Sequence, residues 1–184
     1  PALGAHHALH ASGALAVVLA LGLNVSEAAR SIEANFRGEK HRMSLLQTDT
    51  GVTILDDCYN ASPLSMRAAL ETFGSLAQGA EQRIAVLGSM LELGEKAPFF
   101  HQEAGRLAAR VGIDHLFALG PFSEDLAKGA AVEGLAQATQ ADDVGDVMTQ
   151  IVDTTQDHSW LLLKGSRGGR LERLLSAYNV MEAR

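Results

Sequence analysis

A predicted strand, an acidic turn and a predicted helix follow one another between residues 52 and 66. The apolar run 52–55 ends in the paired carboxylates Asp56 and Asp57, and a polar turn then leads through Pro63 into a helical pattern. This order is typical of the carboxyl edge of a parallel sheet, where ligands bind. The turn offers carboxylate, amide and hydroxyl groups, which suit ribose hydroxyls, an amine or a magnesium shell. The segment therefore predicts an α/β fold with a ligand site beside Asp57.

Alternating strand and helix patterns continue through the rest of the chain. The predicted strands are 44–48, 52–55, 83–87, 115–119 and 160–163, with a weaker one near Leu135, and the predicted helices are 63–76, 98–111, 123–130, 142–152 and 169–178. Continuous apolar strands indicate a sheet that is covered on both faces. The turn at 49–51 predicts a hairpin between the first two strands. We therefore predict a Rossmann-like three-layer sandwich with a mostly parallel sheet and one antiparallel edge strand.

The first forty residues have a purely helical pattern. Residues 5–21 read as a helix that is apolar on most faces, and a second helix begins at Ser26, a plausible N-cap. A polar segment that contains glycine follows at 36–42. Because two helices cannot make a core alone, we expect residues 1–40 to be the tail of a preceding domain. Residues 41–184 then form the α/β domain.

Composition excludes several classes of function. The net charge of −7 argues against a general nucleic-acid binder, although a nucleotide site needs only local positive groups. The apolar run 11–23 is shorter than the roughly 20 residues that cross a bilayer. The single cysteine, Cys58, excludes an internal disulfide framework and suits a reducing cytosol, so we expect a cytoplasmic protein. We expect it to be a monomer. Neighbouring carboxylates disfavour a reactive thiolate at Cys58.

Four segments resemble the Mur ligases, which build peptidoglycan precursors. The sequence Asp-Cys-Tyr-Asn-Ala-Ser-Pro at 57–63 is similar to the family's signature, and 86–94, 163–168 and 4–6 match further segments in the family's order. The resemblance implies an ATP-dependent ligase that joins D-alanyl-D-alanine to UDP-N-acetylmuramoyl-tripeptide through an acyl phosphate. Two alternatives stay open. One is a related ligase that adds glutamate to folate or another amino acid to the same precursor, and the other is a non-catalytic Rossmann-like nucleotide-binding module.

The resemblance implies a set of nucleotide-binding residues. In the family, the acid at the position of Asp57 contacts the nucleotide sugar, and the arginine at the position of Arg42 reaches the ATP of the neighbouring domain. A guanidinium offers a fixed fork of donors for such oxygens. His6, His7 and His10 also fall at cofactor positions, where the family has asparagines in place of His7 and His10. Imidazole cannot reproduce the paired donor and acceptor of an amide, so adenine recognition there would work differently.

Purely structural roles for these residues stay open. Asp57 is equally suited to satisfying loop amides or capping the next helix, and Arg42 by itself reads as a surface side chain. His6 and His10 share one helix face, but no third ligand is evident in the sequence, so we predict no metal site.

Five further residues are expected to contact the dipeptide substrate. Asn60 and Ser62 suit orientation of its amine or carboxylate, and the resemblance places Lys164, Ser166 and Arg167 near it, where a helix start also attracts anions. The alternatives are ordinary turn residues for the first pair and a solvated glycine-rich connection for the other three.

Other matched positions carry weaker predictions. Ser89 stands where the family usually has aspartate, while Glu92 and His101 match family positions whose roles suit structure as well as function. We interpret Tyr59 as core packing with its hydroxyl at the rim.

The sequence contains no Gly-x-x-x-x-Gly-Lys-Ser/Thr phosphate loop. Lys164 precedes its glycine, so the spacing there does not form one. We therefore expect ATP and Mg²⁺ to be bound mainly by a central domain upstream. The chain would then be the carboxyl-terminal domain of such a ligase, with no catalytic residue of its own and no activity by itself.

Overall fold

The computed structural model describes residues 5–36, 38–178 and 180–182, and it divides the chain into two compact units, Pro1–Glu39 and Lys40–Arg184. The first unit holds helices α1 (Ala5–Ala20) and α2 (Val25–Asn35), which contact each other. The N-cap of α2 is Asn24 rather than Ser26, since the Asn24 side chain accepts a hydrogen bond from the Glu27 amide at 3.1 Å. Ser26 lies inside the first turn, where its hydroxyl is past the capping position.

The two helices leave much apolar surface exposed. Leu9, Val17 and Leu19 in α1 are each at least 60% exposed, and no side chain of α2 is buried. Within the described residues, every helix is too short or too polar to span a membrane.

The second unit is built on one sheet. Its strands are β1 (Ser44–Thr48), β2 (Thr53–Asp57), β3 (Arg83–Leu87), β4 (His115–Leu119), β5 (Ala138–Ala141), β6 (Trp160–Lys164) and β7 (Val180–Glu182). They lie in the order β5-β4-β3-β6-β2-β1-β7. Strands β5, β4, β3, β6 and β2 are parallel to one another, while β1 is antiparallel to both β2 and β7. The predicted parallel sheet and antiparallel hairpin are confirmed, and β7 extends the edge beyond the hairpin.

Helices and short 3-10 segments connect the strands. The helices are α3 (Pro63–Leu76), α4 (Ala97–Arg110), α5 (Ser123–Val132) and α6 (Val144–Thr154), and the 3-10 segments are Gly94–Lys96, Arg167–Gly169 and Leu171–Ala177. The α-helix predicted at 169–178 is therefore wrong in type. Arg170 adopts the left-handed conformation at φ 47° and separates two 3-10 segments. Leu171 and Leu174, three residues apart, fall on one side of the tighter helix and are both buried.

Alternate residues of the central strands pack into two apolar layers. One layer joins Ile54, Val86, Phe117 and Leu163 to residues of α6 and of the last 3-10 segment. The next residues along each strand, such as Leu55, are also fully buried, and they face the opposite layer because side chains alternate across a strand. There α4 packs against both α3 and α5, while α3 contacts β6 and α5 contacts β4.

Helices α4 and α5 approach closely through glycine. A Cβ atom on Gly105 would collide with the carbonyl oxygen of Leu126, and one on Gly129 would collide with that of Gln102. The absence of a side chain at both positions thus allows the backbones of the two helices to touch.

Strand register brings distant residues to one edge of the sheet. Asp57 is the last residue of β2 and lies opposite Lys164, the last residue of β6, and Leu87 at the end of β3 lies opposite Lys164 on its other side. The loops that follow these three parallel strands therefore start side by side, which is where open α/β sheets bind ligands.

Candidate functional site

A buried ion pair joins the ends of β2 and β6. The Nζ atom of Lys164 lies 2.8 Å from Oδ2 of Asp57, and the two side chains are 2% and 14% exposed. Lys164 also donates to the carbonyl oxygens of Asp57 at 3.2 Å and Asn60 at 2.5 Å. An ammonium group has three protons, and here three acceptors surround it. Lys164 therefore bridges the two ends of the acidic turn and fixes its path.

The second aspartate of the turn faces a different set of partners. Asp56 is 2% exposed, and its Oδ2 lies 2.7 Å from Nδ1 of His41. Its Oδ1 accepts from the Cys58 thiol at 3.0 Å and from the Cys58 amide at 3.4 Å. Burial raises the pKa of the Cys58 thiol far above its ordinary value, and the Asp56 carboxylate raises it further. The thiol therefore stays protonated and acts as a hydrogen-bond donor, in agreement with the prediction that it is unreactive.

His41, Asp56 and Cys58 form a cluster with metal-ligating groups. Their ligand atoms lie within 4.8 Å of one another. Metal binding needs a thiolate and a free imidazole nitrogen. The Cys58 thiol donates to Asp56, and its raised pKa opposes loss of the proton. The geometry therefore favours a hydrogen-bonded cluster that holds His41 against the turn.

The segment that enters the second unit is attached to the turn through its backbone as well. The Asp57 carboxylate accepts from the Met43 amide at 3.1 Å, and the Tyr59 amide donates to the His41 carbonyl at 3.0 Å. His41 and Met43 both have left-handed backbone conformations, with φ of 63° and 52°. Such conformations are unfavourable for residues other than glycine, so these contacts must offset their cost.

The Tyr59 ring contacts two arginines. The guanidinium carbon of Arg42 is 4.2 Å from the centroid of the Tyr59 ring, and that of Arg167 is 5.1 Å from the same centroid. Both distances are within the roughly 6 Å at which cations attract aromatic faces. Tyr59 is 37% exposed, so the interpretation of this residue as core packing is wrong: its neighbours are charged groups at the surface.

The structure thus brings Arg42, Asp57, Lys164 and Arg167 together around the acidic turn. Sequence reasoning missed the residues that hold them. The Asp56 and Tyr59 contacts depend on the path of the turn, which no local sequence pattern specifies.

Asn60 and Ser62 also shape the turn locally. The Asn60 side chain accepts from the Ala61 amide at 2.9 Å. Ser62 is the N-cap of α3, where its hydroxyl accepts from the Ser65 amide and the Ser65 hydroxyl accepts from the Ser62 amide. Helix α3 is therefore capped by Ser62 rather than by either aspartate. Both Asn60 and Ser62 remain exposed to solvent.

Ser166 connects the last two loops of the sheet edge. Its hydroxyl accepts from the Leu91 amide at 3.3 Å, and its own amide donates to the Ser89 carbonyl at 3.1 Å. The Ser89 hydroxyl in turn donates to the Leu119 carbonyl at 3.3 Å. Ser166 is only 5% exposed, in contrast to the adjacent Arg167, which is exposed.

His101 supports the loop after β3. Its Nε2 accepts from the Met90 amide at 2.8 Å, so the ring proton lies on Nδ1, which donates to the Ala97 carbonyl at 2.6 Å. The ring stacks on Phe122 at a centroid distance of 4.4 Å. Burial lowers the pKa of His101, which keeps the imidazole neutral as both hydrogen bonds require. Glu92 lies in the same loop, exposed and left-handed at φ 63°.

The three histidines of α1 belong to the first unit. The side chain of His6 lies outside the described residues. The rings of His7 and His10 meet edge to face at 6.1 Å, and His7 meets Phe36 at 5.7 Å.

The fold and the charged turn define a Rossmann-like α/β unit with a candidate ligand site at the carboxyl edge of its sheet. Comparison with known proteins identifies its family. The family model described as the Mur ligase, glutamate ligase domain, matches residues 41–167. The chain therefore belongs to the Mur ligase family.

Three individual relatives are similar to most of this chain. The UDP-N-acetylmuramoyl-tripeptide--D-alanyl-D-alanine ligase of Bacillus subtilis (strain 168) is 32% identical over 176 residues, which are 95% of this chain and 38% of that enzyme. The protein of the same name from Mycobacterium tuberculosis (strain ATCC 25618 / H37Rv) is 39% identical over 136 residues, which are 71% of this chain and 27% of that enzyme. A crystal structure of MurF from Acinetobacter baumannii superposes with a TM-score of 0.81 at 29% identity and covers 95% of this chain and 38% of that one. The chain thus spans less than two fifths of the length of these relatives.

Proposed function

We propose that this chain is the carboxyl-terminal domain of an ATP-dependent ligase that joins D-alanyl-D-alanine to UDP-N-acetylmuramoyl-tripeptide in the cytoplasm. The observation that carries the proposal is the convergence of Arg42, Asp57 and Arg167 at the carboxyl edge of the sheet, held there by Lys164. The similarity to ligases of that name along nearly the whole chain supports the same conclusion.

Asp57 and Arg42 are suited to a nucleotide. Asp57 accepts from Lys164 and from the Met43 amide. A carboxylate accepts hydrogen bonds from hydroxyl groups, so Asp57 is suited to ribose hydroxyls. The side chain is 14% exposed and thus accessible at the rim. Arg42 is exposed beside the Tyr59 ring, and its guanidinium suits phosphate or ribose oxygens.

The dipeptide is assigned to Arg167, Asn60 and Ser62. Arg167 is exposed, and its guanidinium suits the dipeptide carboxylate. Asn60 and Ser62 are exposed in the turn that contains Tyr59, the residue that Arg167 contacts, and they would orient the amine. Lys164 and Ser166 are buried and bonded to the two loops, so in this proposal they position the site.

The reaction divides between this domain and the rest of the enzyme. The tripeptide carboxylate attacks the γ-phosphorus of ATP, which forms an acyl phosphate and releases ADP. The amine of D-alanyl-D-alanine then attacks the acyl carbon, and phosphate leaves as the amide forms and the amine loses a proton. The domain's share is to hold the dipeptide, contact the nucleotide and close over the site. ATP and Mg²⁺ would be bound mainly by the central domain.

We assign residues 1–40 to the end of that central domain. The apolar side chains that α1 exposes, such as Leu9 and Leu19, are those that a larger core would cover. His6, His7 and His10 would then lie on the ATP-binding side, and the imidazoles of His7 and His10 would contact the nucleotide differently from the amides of related enzymes.

A substrate panel tests the proposal. The full-length enzyme that contains this chain is incubated with ATP and UDP-N-acetylmuramoyl-tripeptide, together with D-alanyl-D-alanine, D-alanine or glutamate, and the products are identified by mass spectrometry. We expect ATP-dependent amide formation with D-alanyl-D-alanine. Product with glutamate alone, on this precursor or on folate, would instead assign the chain to another ligase of the family. Nucleotide binding without any amide product would favour a non-catalytic module.

A further inference from the structure

Tyr59 is the point at which the two charged halves of the site meet. Its ring lies under the guanidinium groups of both Arg42 and Arg167, although these residues are 125 positions apart in the chain. We propose that Tyr59 is a positioning residue that orients both arginines for their anions, so that one ring serves the nucleotide and the dipeptide sites together. This inference rests on the proposed function and adds a shared determinant of affinity for the two substrates.

The backbone of Tyr59 is fixed on both sides. Its amide donates to the His41 carbonyl at 3.0 Å, and the Asn60 carbonyl that follows it accepts from Lys164. Lys164 in turn is anchored by Asp57 in the sheet. The ring therefore projects from a segment that is held by the sheet and by the segment before β1.

The same contacts determine where Arg42 starts. His41 on one side is bonded to Asp56 through its side chain, and Met43 on the other side is bonded to Asp57 through its amide. Arg42 thus has fixed neighbours and a fixed ring beside it. A long side chain held in one orientation loses less rotamer freedom when it binds its ligand, and affinity improves accordingly.

The positive charges of Arg42 and Arg167 repel each other. The negative face of an aromatic ring attracts each guanidinium, most strongly where water is partly excluded. The ring therefore brings positive charge from two distant parts of the chain to one place. Such a place is suited to phosphate or carboxylate oxygens, which can then bond to the exposed edges of the guanidinium groups.

The test uses the full-length enzyme and measures KM separately for ATP and for D-alanyl-D-alanine. Tyr59→Leu should raise both KM values by about 2- to 5-fold, the range expected for loss of a partly exposed cation–aromatic contact. Tyr59→Phe keeps the ring and should restore both values. Phe99→Leu removes another exposed aromatic ring, 57% exposed, and serves as the matched control that should leave both unchanged.

A double-mutant cycle separates positioning from a general structural effect. In an Arg42→Ala background, Tyr59→Leu should no longer raise the KM for ATP but should still raise that for the dipeptide. In an Arg167→Ala background, the two effects should be reversed. Equal effects of Tyr59→Leu in all three backgrounds, or no effect in any, would overturn the inference.

Two further measurements distinguish failure of this inference from failure of the proposed function and from loss of folding. If Arg42→Ala and Arg167→Ala change neither KM, the site assignment of the proposed function fails, independently of Tyr59. Thermal unfolding of each variant reports whether it is folded. Should Tyr59→Leu unfold, Tyr59→Met, which fills similar space without a ring, replaces it in the same cycle with the same expected result.

Discussion

Replacement of Lys164 by methionine tests how the acidic turn is held in place. Methionine keeps an unbranched side chain of similar length but removes the ammonium group from Asp57 and from two carbonyl oxygens. Loss of one partner of a buried ion pair costs about 3–5 kcal/mol, because the other charge is left without compensation. Asp57 is 14% exposed and keeps the Met43 amide, so we expect the lower end of that range, about 3 kcal/mol.

The assay is urea unfolding of the chain, followed by fluorescence. Trp160 is the only tryptophan, begins strand β6, which ends at Lys164, and contacts the Phe73 ring at a centroid distance of 6.2 Å. Its emission therefore reports the second unit. For a chain of this size, the expected destabilisation lowers the melting temperature by about 6 to 12 °C. The urea midpoint should fall with an unchanged slope, since the same surface is exposed on unfolding.

Two variants complete this experiment. Lys128→Met removes a lysine that pairs with Glu124 at 2.8 Å on the surface, and it should leave the midpoint unchanged. Adding Asp57→Asn to Lys164→Met removes the uncompensated charge and should recover part of the lost stability. A midpoint for Lys164→Met equal to that of Lys128→Met would refute the view that this pair fixes the turn.

Other regions give further predictions. Because the pKa of the Cys58 thiol is raised, an aromatic disulfide reagent at pH 8 should not modify the folded chain but should react once urea unfolds it; rapid reaction of the native chain would contradict the burial of the thiol. The pKa of His101 is lowered in the folded state, so the unfolded state binds the extra proton first as the pH falls. Stability should therefore be full above pH 6.5 and decline below it. Urea midpoints measured across pH 5–8 should depend less on pH in His101→Gln than in the unmodified chain. Gly105→Ala should destabilise the second unit by about 2 kcal/mol or more, because its Cβ would meet the Leu126 carbonyl, whereas Gly13→Ala, with open space around it, should be neutral or stabilising by about 0.5–1 kcal/mol.

Local sequence patterns were sufficient to predict most of the fold. The bounds predicted for β1, α3, β3 and β4 agree with the structure, because each is a clear apolar run or begins with a cap or proline. The hairpin between β1 and β2 followed from Gly51, which has φ of 83°. In these elements, local propensity and the final packing favour the same conformation.

The errors occur where distant contacts decide the structure. The weak strand predicted near Leu135 lies instead at Ala138–Ala141, an edge strand with little apolar character whose position is set by pairing with β4. Strand β7 is three residues long and exists through pairing with β1. No periodicity within either segment carries that information.

The same limit applies to the site. The motif identified Asp57 and the resemblance identified Arg42, but the partners of both are distant in sequence. Lys164 reaches Asp57 across 107 positions because β6 is inserted between β3 and β2 in the sheet. Tyr59 looked apolar by type, and its contact with two arginines depends on the path of the turn that Lys164 fixes.

The most direct test of the account is the ATP dependence of the full-length ligase with Arg42→Ala. Arg106→Ala serves as the control, because Arg106 pairs with Glu103 within α4 at 2.6 Å and has no part in the proposed site. A charge-assisted hydrogen bond to the nucleotide predicts a rise of about tenfold or more in the KM for ATP for Arg42→Ala, with the control unchanged. An ATP KM and kcat equal to those of the unmodified enzyme would contradict the placement of this turn at the nucleotide.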